Sequence, residues 1–294
     1  MSGQSKEPRR ALVPGGNGLL AGAMNATLSA AGWTVLAPSR AELDISDESR
    51  VRRVFADFKP DFVINCASTG NVDRCEREPE WAFSVNEMGP RLLSRACRQT
   101  GAQMVHTSTD YVFDGTKQGF YTQEDEPLPR SVYGKSKLAG EIAVREEAER
   151  FYIVRTSWLF GVGGKNFGSK VFEHAQNDPL KCVSDQTSIP TYAPDLARRI
   201  EEIISLGAHG LYHGTNTGVA TWYDFAKLAL EIAGIDDVEI KQVTRADLGG
   251  AAPRPGNSAM RCLVSEKVGL APLRHWRETV PEFVRAWQSG SGAF

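Results

Sequence analysis

Tyr133-Gly134-Lys135-Ser136-Lys137 sets a phenol and an ammonium four residues apart, which on a helix puts both on one face. A free tyrosine has a pKa near ~10 and exchanges its proton poorly at neutral pH. A cation about 4 Å away contributes roughly 4 kcal/mol at an effective dielectric near ~20, equivalent to about three pKa units. Lys137 has the right sign for that role. Upstream, Met104-Val105-His106 reads as a strand that runs into Thr107-Ser108-Thr109-Asp110-Tyr111-Val112-Phe113. Hydroxyl groups therefore emerge at the strand's carboxyl edge, where parallel sheets bind ligands. Together these groups suit reduction of a ketone: Thr109 and Tyr133 stabilise the developing oxyanion, and Tyr133 delivers the proton as hydride arrives at carbon. A bare Y-x-x-x-K is usually a surface helix pair, so the reading depends on its surroundings.

The first of these is Gly15-Gly16-Asn17-Gly18-Leu19-Leu20-Ala21, which lies between a strand candidate, Ala11-Leu12-Val13, and a helical segment from Leu19 to Ala31 that stops at Gly32. Glycine turns also serve plain strand-to-helix connections. Here the spacing G-x-x-G-x-x-A has the place of a dinucleotide fingerprint: Gly15 permits the tight turn, Gly18 lets backbone approach a pyrophosphate, and Ala21 allows close helix packing. Asn17, Leu19 and Leu20 complete the turn and the helix N-terminus, which offers N–H groups to the anion. After the second strand, Thr34-Val35-Leu36, the chain reads Ala37-Pro38-Ser39-Arg40. No acid stands there for a ribose 2′-OH, while Ser39 and Arg40 suit a 2′-phosphate, so NADP(H) is expected in preference to NAD(H). The competing reading makes Arg40 a solvated surface residue.

These motifs must be carried by alternating strands and helices. Asp44 or Ser46 is expected to cap a helix with apolar residues at Val51, Val54, Phe55 and Phe58, followed by a third strand, Phe62-Val63-Ile64. One long helical pattern carries Trp81, Val85, Met88, Leu92 and Ala96 to Gly101. Ser131 to Glu149 reads as a helix, Tyr152-Ile153-Val154 as a strand, Pro194 to Leu206 as a helix and Leu211-Tyr212-His213 as a strand. The rhythm predicts an α/β fold: a Rossmann-type doubly wound parallel sheet with a smaller mixed α/β substrate-binding lobe. Residues 1–157 plus 192–215 are assigned to the dinucleotide-binding domain, and 158–191 plus 216–294 to the lobe. In the lobe, Thr221-Trp222-Tyr223-Asp224 reads as a capping box opening a helix to Ala233, and Trp276 to Trp287 as a terminal amphipathic helix. Gly290–Phe294 reads as a loose tail.

Composition excludes other classes. The 294 residues carry a net charge of −2, which gives no field for a nucleic acid polymer or anionic lipid. No apolar run approaches the ~18 residues of a membrane span, and glycines interrupt the sequence after the basic Met1–Arg10 segment, so neither a membrane role nor a signal peptide is read. The five cysteines, Cys66, Cys75, Cys97, Cys182 and Cys262, are widely spaced, so no disulfide framework or zinc site is expected and a cytoplasmic location is the simplest. His209 and His213 are interrupted by Gly210 and a strand, and no metal site is read from them.

At this point the chain resembles an extended short-chain dehydrogenase/reductase, and within that superfamily the dTDP-4-dehydrorhamnose reductases. The resemblance runs nearly end to end: Asn65-Cys66-Ala67, Val72-Asp73, Ser108 to Phe113, Tyr133 to Glu141, Arg155-Thr156-Ser157-Trp158, Asn166-Phe167, Asp185-Gln186 with Pro190-Thr191, and Arg254-Pro255-Gly256-Asn257-Ser258 occur in order. It implies reduction by NADPH of the 4-keto group of a nucleotide-linked deoxysugar, with dTDP the expected nucleotide. It implies that Tyr133 is the proton donor, Thr109 its partner on the keto oxygen, and Lys137 the group that orients the cofactor. Cofactor contacts are implied for Gly18, Leu19, Leu20, Asp44, Ile45, Cys66, Ala67, Ser68 and Thr69, and substrate contacts for Thr109, Asp110, Trp158, Asn166 and Arg254. Where such reductases have an aromatic or His followed by Thr after Asn65-Cys66-Ala67-Ser68, this chain has Thr69-Gly70-Asn71, which leaves the sugar open. The resemblance admits a homodimer, but no residue set maps onto the magnesium site through which some members dimerise. Two other functions compete. One is a nucleotide-sugar epimerase or dehydratase that retains NAD, against which the missing acid argues. The other is a noncatalytic NADP-binding regulatory subunit, against which the intact Thr109, Tyr133 and Lys137 argue.

Overall fold

The computed structural model describes residues 7–175 and 179–290. The expected tail lies largely outside these residues. Strands β1 (Arg10–Leu12), β2 (Thr34–Leu36), β3 (Phe62–Asn65), β4 (Gln103–Thr109) and β5 (Phe151–Thr156) are joined by Gly210–His213 in one six-stranded sheet. Its order is Gly210–His213, β5, β4, β3, β1, β2, and every pairing is parallel. From β1 the chain moves out to β2, then returns to place β3 on the other side of β1. That reversal opens a crevice at the carboxyl ends of the strands, the usual ligand site of an open α/β sheet.

The strand sequences explain why both faces are covered. Ala11, Ile64, Val105, Tyr152 and Val154 pack into one apolar cluster with residues of α1 (Leu19–Ala30), whereas their neighbours Leu12, Val63, Met104 and Ile153 pack into another with Val51 and Phe55 of α2 (Glu48–Phe58). The two-residue alternation of a strand turns each set to its own layer. Beyond β3 come α3 (Val72–Arg77), α4 (Pro79–Phe83) and α5 (Gly89–Thr100), followed after β4 by α6 (Val132–Glu147). After β5 come α7 (Phe167–His174), α8 (Ala193–Leu206) and α9 (Trp222–Ala233), and Trp276–Gln288 is the last helix. A third cluster, which includes Phe160, Phe172, Phe225, Trp276 and Phe283, is built from α7, α9, the last helix and short strands such as Leu159–Phe160.

Two expectations change. The cap of α2 is Asp47, whose side chain accepts from Ser49 N and Arg50 N, while Asp44 accepts from Ser46 instead. The single helix read from Trp81 to Gly101 is broken by a π-turn, Ser84–Met88, ahead of Gly89-Pro90. Proline has no N–H to donate and its ring crowds the preceding turn, and π-turns are frequent at functional sites. The turn sends Asn86 inward, where its Oδ1 accepts from Thr69 N at 2.9 Å and its Nδ2 donates to Ser136 Oγ at 3.0 Å. A loop after β3 and the helix α6 are thereby tied together. The Thr221–Asp224 capping box forms as read, with Thr221 Oγ1 accepting from Asp224 N.

Candidate active site

Ser131 starts α6 by accepting a hydrogen bond from Gly134 N at 3.0 Å, which puts Tyr133 in the first turn and Lys137 one turn later. A Cβ on Gly134 would stand 2.2 Å from the carbonyl oxygen of Tyr111, so glycine there lets α6 close onto the Asp110–Val112 turn. Helix and strand end are thus brought together. Tyr111 meets Tyr133 edge-on, with ring centroids 5.4 Å apart at 74°.

Lys137 corrects the simplest electrostatic expectation. Its ammonium is buried and donates to the carbonyl of Thr107 at 2.7 Å, so its nearest partner is the backbone of β4 and not the phenol. Burial pulls its pKa down to about 8, partly restored by Glu141 and Cys66. The Tyr133 phenol is pushed up by burial, with the hydrogen bond to Thr109 pulling the other way and Asp110 adding to the rise. Desolvation of the phenolate therefore outweighs the assistance expected from the lysine. The consequence favours reduction, because the group that must give a proton holds one at neutral pH. Beneath it, Glu141 and Arg155 form a buried pair: Arg155 donates through Nε at 2.8 Å and through a terminal nitrogen at 2.7 Å, and Ser108 Oγ donates to the same carboxylate at 2.5 Å. This pair fixes α6 to β4 and β5 under the reacting groups.

On the cofactor side, Gly15 adopts φ +91°, a left-handed conformation that favours glycine. Gly15 N and Gly16 N both donate to the Pro38 carbonyl, at 3.1 and 2.8 Å, and a Cβ on Gly16 would lie 2.1 Å from the Ala37 carbonyl oxygen. A side chain at Gly16 would have to move the end of β2, and one at Gly15 would stand 3.0 Å from the backbone of Ala67 after β3. Helix α1 then begins at Leu19 and Leu20 without a side-chain cap, beside the exposed Asn17 and Gly18. That uncapped N-terminus at the sheet crevice is a cradle that fits a pyrophosphate. At the adjacent rim, Ala67 N donates to Asn65 Oδ1 and Thr69 N to Asn86 Oδ1, while Cys66 lies close enough to Lys137 for the two to perturb one another. Burial pushes the Cys66 thiol up to about 12. Ser68 lies between them, and Ile45 is buried below.

Beyond β2, Ser39 donates through both its N–H and its hydroxyl to Glu42, at 2.7 and 2.8 Å. Arg40 is exposed and reaches Asp44 at 3.4 Å. The donors read as a 2′-phosphate site are present, and each faces a carboxylate. Glu42 is a residue that the sequence reading did not assign.

Toward the lobe, Trp158 has φ +42°, a left-handed conformation rare for a bulky residue and often retained at functional sites. Its ring stacks on Trp222 at 3.6 Å and 10°, and Trp222 meets Phe167 at 4.1 Å. The Trp158 Nε1 donor is buried without a partner among the described residues. Gln186 accepts from Trp222 Nε1 at 3.3 Å, is close enough to Tyr111 to perturb it, and its own Nε2 finds no partner among the described residues. Contacts run unbroken from Trp158 through Trp222, Gln186 and Tyr111 to Tyr133. Arg254 is held by Asp73 of α3 at 2.8 Å and also acts on Tyr111.

Asn166 does not fit the role expected of it. Its Oδ1 caps α7 by accepting from Ser169 N, and its Nδ2 donates to the carbonyls of Gly161 and Gly164, both at 2.8 Å. Its polar atoms are committed to holding the loop after β5, so it supports the site without facing a substrate. Asn86, Gln186, Ser188, Trp222 and Ser258 were not read as site residues. Gln186 and Ser258 lie in motifs quoted for the resemblance, whereas Trp222 was read only for its place in a capping box.

The RmlD substrate binding domain family matches residues 9–289. The chain is 40% identical over 289 residues to the dTDP-4-dehydrorhamnose reductase of Streptomyces griseus, covering 95% of this chain and 94% of that one. Among solved structures, a dTDP-4-dehydrorhamnose reductase from Clostridium acetobutylicum superimposes with a TM-score of 0.92 at 36% identity, over 95% of this chain and 99% of that one. A Bacillus anthracis dTDP-4-dehydrorhamnose reductase in complex with NADP gives 0.91 at 33% identity, over 94% and 98%.

Proposed function

The chain belongs to the RmlD substrate binding domain family, and from that premise we propose that it reduces the 4-keto group of a nucleotide-linked deoxysugar with NADPH. The observation that carries this reading is the placement of Thr109 and a protonated Tyr133 at the carboxyl edge of β4, beside the glycine cradle. Gly15, Gly18, Leu19 and Leu20 would hold the cofactor's diphosphate, and Cys66, Ala67, Ser68, Thr69 and Lys137 would hold its ribose and nicotinamide. When bound, NADPH supplies the hydride. Tyr133 gives its proton to the keto oxygen, Thr109 holds that oxygen, and Lys137 stays charged as the anionic cofactor approaches. The described residues of 158–191 and 216–290 form the sugar-nucleotide side, where Trp158 Nε1 and Gln186 Nε2 are donors without a partner among the described residues. A dTDP-linked 6-deoxy-4-keto sugar is the expected substrate class.

The test is a panel of nucleotide 4-keto-6-deoxysugars with NADPH, followed by loss of absorbance. Oxidation with at least one dTDP-linked member supports the reading, and no oxidation with any member contradicts it.

The preference for NADPH rests on Arg40. Arg40→Ala is expected to raise KM for NADPH by roughly tenfold, about 1.4 kcal/mol, the lower range for a charged hydrogen bond because Arg40 is exposed. The kinetics with NADH should hardly move. An unchanged ratio of kcat/KM for the two cofactors would assign Arg40 to the surface.

Trp158→Phe keeps a ring against Trp222 and removes only the unpartnered donor. One lost hydrogen bond is worth about 1 kcal/mol, so kcat/KM for the sugar should fall roughly fivefold, chiefly through KM, with KM for NADPH unchanged. Equal kinetics in both proteins would place Nε1 away from the substrate.

A further inference from the structure

Thr109 has one hydroxyl proton, and its surroundings decide where that proton can go. Its Oγ1 accepts from Tyr111 N at 3.2 Å and lies 3.1 Å from Asp110 Oδ1. The other carboxyl oxygen, Oδ2, accepts from Ser258 Oγ at 2.5 Å and from Ser188 Oγ at 3.3 Å. If Asp110 is ionised, Oδ1 can only accept, so Thr109 must spend its proton on the carboxylate and has none for a keto oxygen. If Oδ1 carries a proton, it donates to Thr109 Oγ1. Thr109 then accepts from Tyr111 N and from Asp110, and its proton turns away from the carboxyl, to the Tyr133 oxygen in the free protein and to the keto oxygen of a bound substrate.

The surroundings of Asp110 favour the second state. The residue is 2% exposed, and among the described residues no basic nitrogen lies within ion-pair distance of it. A buried carboxyl without a counter-ion is stabilised in its neutral form. The titratable and charged groups around it offer no compensation. Tyr111 on its own turn, Tyr133 on α6 and Cys75 on α3 are all pushed up by burial and so stay neutral. Asp73 of α3 is paired with Arg254 at 2.8 Å, and Asp185, next to Gln186, with Arg245 at 3.2 Å. The two oxygens are also unequal. Oδ2 accepts from two hydroxyl donors, as a carbonyl oxygen would, whereas Thr109 is the one side chain that reaches Oδ1 among the described residues.

We propose that Asp110 works as a neutral acid, a positioning residue whose Oδ1–H directs the Thr109 hydroxyl onto the keto oxygen. No proton leaves Asp110 during turnover. The inference rests on the ketoreductase reading and adds to it the state of a residue that otherwise counts only as a sugar contact. Burial raises the carboxyl to about 6, opposed by the hydrogen bonds from Ser258, Thr109, Ser188 and its own backbone N–H, and loss of water on binding of cofactor and sugar acts in the same direction as burial. Activity that depends on the neutral form is full at low pH and declines as pH rises through this value.

The test compares Asp110→Asn and Asp110→Ala. Asn is the neutral isostere: its Nδ2–H can donate to Thr109 while its Oδ1 accepts from both serines. Asp110→Asn should keep kcat within roughly threefold of the parent at pH ~6 and lose the parent's alkaline decline, whereas Asp110→Ala should lose roughly tenfold or more at every pH. An Asn variant as poor as the Ala variant, or one with the parent's alkaline decline intact, overturns the proposal. A second readout does not depend on activity. A raised carboxyl pKa gives stability that is present at low pH and lost as pH rises through the folded value, so Tm of Asp110→Asn minus Tm of the parent should grow between pH ~4.5 and ~7. A constant difference contradicts the neutral acid even if the protein reduces no sugar tested.

Discussion

Tyr133→Phe is expected to lower kcat by roughly 10²- to 10⁴-fold while leaving KM for NADPH and the Tm close to those of the parent. Loss of the proton donor removes an interaction made most fully as the keto oxygen gains charge, so the deficit falls on kcat. The ring that faces Tyr111 is retained, and the hydroxyl of Tyr133 has Thr109 as its only described hydrogen-bond partner. Steady-state kinetics with thermal denaturation of both proteins checks the split. Undiminished turnover would remove Tyr133 from the chemistry, and an equally large loss of stability would make the residue structural.

Glu141→Ala should produce the largest loss of stability among the changes considered. It leaves Arg155, 1% exposed and stacked 5.1 Å over Phe113, as a buried charge without its carboxylate. Breaking a buried, hydrogen-bonded ion pair from one side costs about 3–5 kcal/mol. For a chain of this size each kcal/mol lowers Tm by roughly 2–4 °C, so a fall on the order of 10 °C is expected in calorimetry or by circular dichroism. Because Glu141 is one turn beyond Lys137 and also accepts from Ser108 of β4, activity should fall with it at temperatures where the protein remains folded. A fall of less than about 2 °C would show that Arg155 finds another partner or water.

The parallel sheet was legible because its strands, such as Phe62–Asn65 and Phe151–Thr156, are short β-branched or aromatic runs that alternate with helical periods and stop at turn residues. The catalytic group was legible because Tyr133 and Lys137 lie within one helix and Thr109 ends the strand that α6 packs on. What lay hidden depends on contacts between residues far apart in the chain. Gly89-Pro90 signals a break near Asn86, but nothing local shows that the turn will send its side chain to Thr69 and Ser136. Trp222 becomes a wall for Trp158 only once the lobe folds back, and Ser258 meets Asp110 across 148 positions. Electrostatics were misread for the same reason. Spacing set Lys137 near Tyr133, but burial and the Thr107 carbonyl, which a helical wheel does not contain, decide where its charge acts. Asn166 shows the opposite error: a polar residue in a motif was assigned to substrate, when the nearer need was a cap for α7.

The most direct measurement of the central claim is a turnover of a dTDP-linked 4-keto-6-deoxysugar with NADPH deuterated at the transferable position of the nicotinamide, followed by mass and NMR analysis of the sugar. The expected result is one deuterium on C4 of the product, one NADPH consumed per sugar, and loss of the transfer in Tyr133→Phe. Product without deuterium at C4, or conversion of the sugar without consumption of NADPH, would contradict a 4-ketoreductase and favour an enzyme that returns its hydride to the substrate.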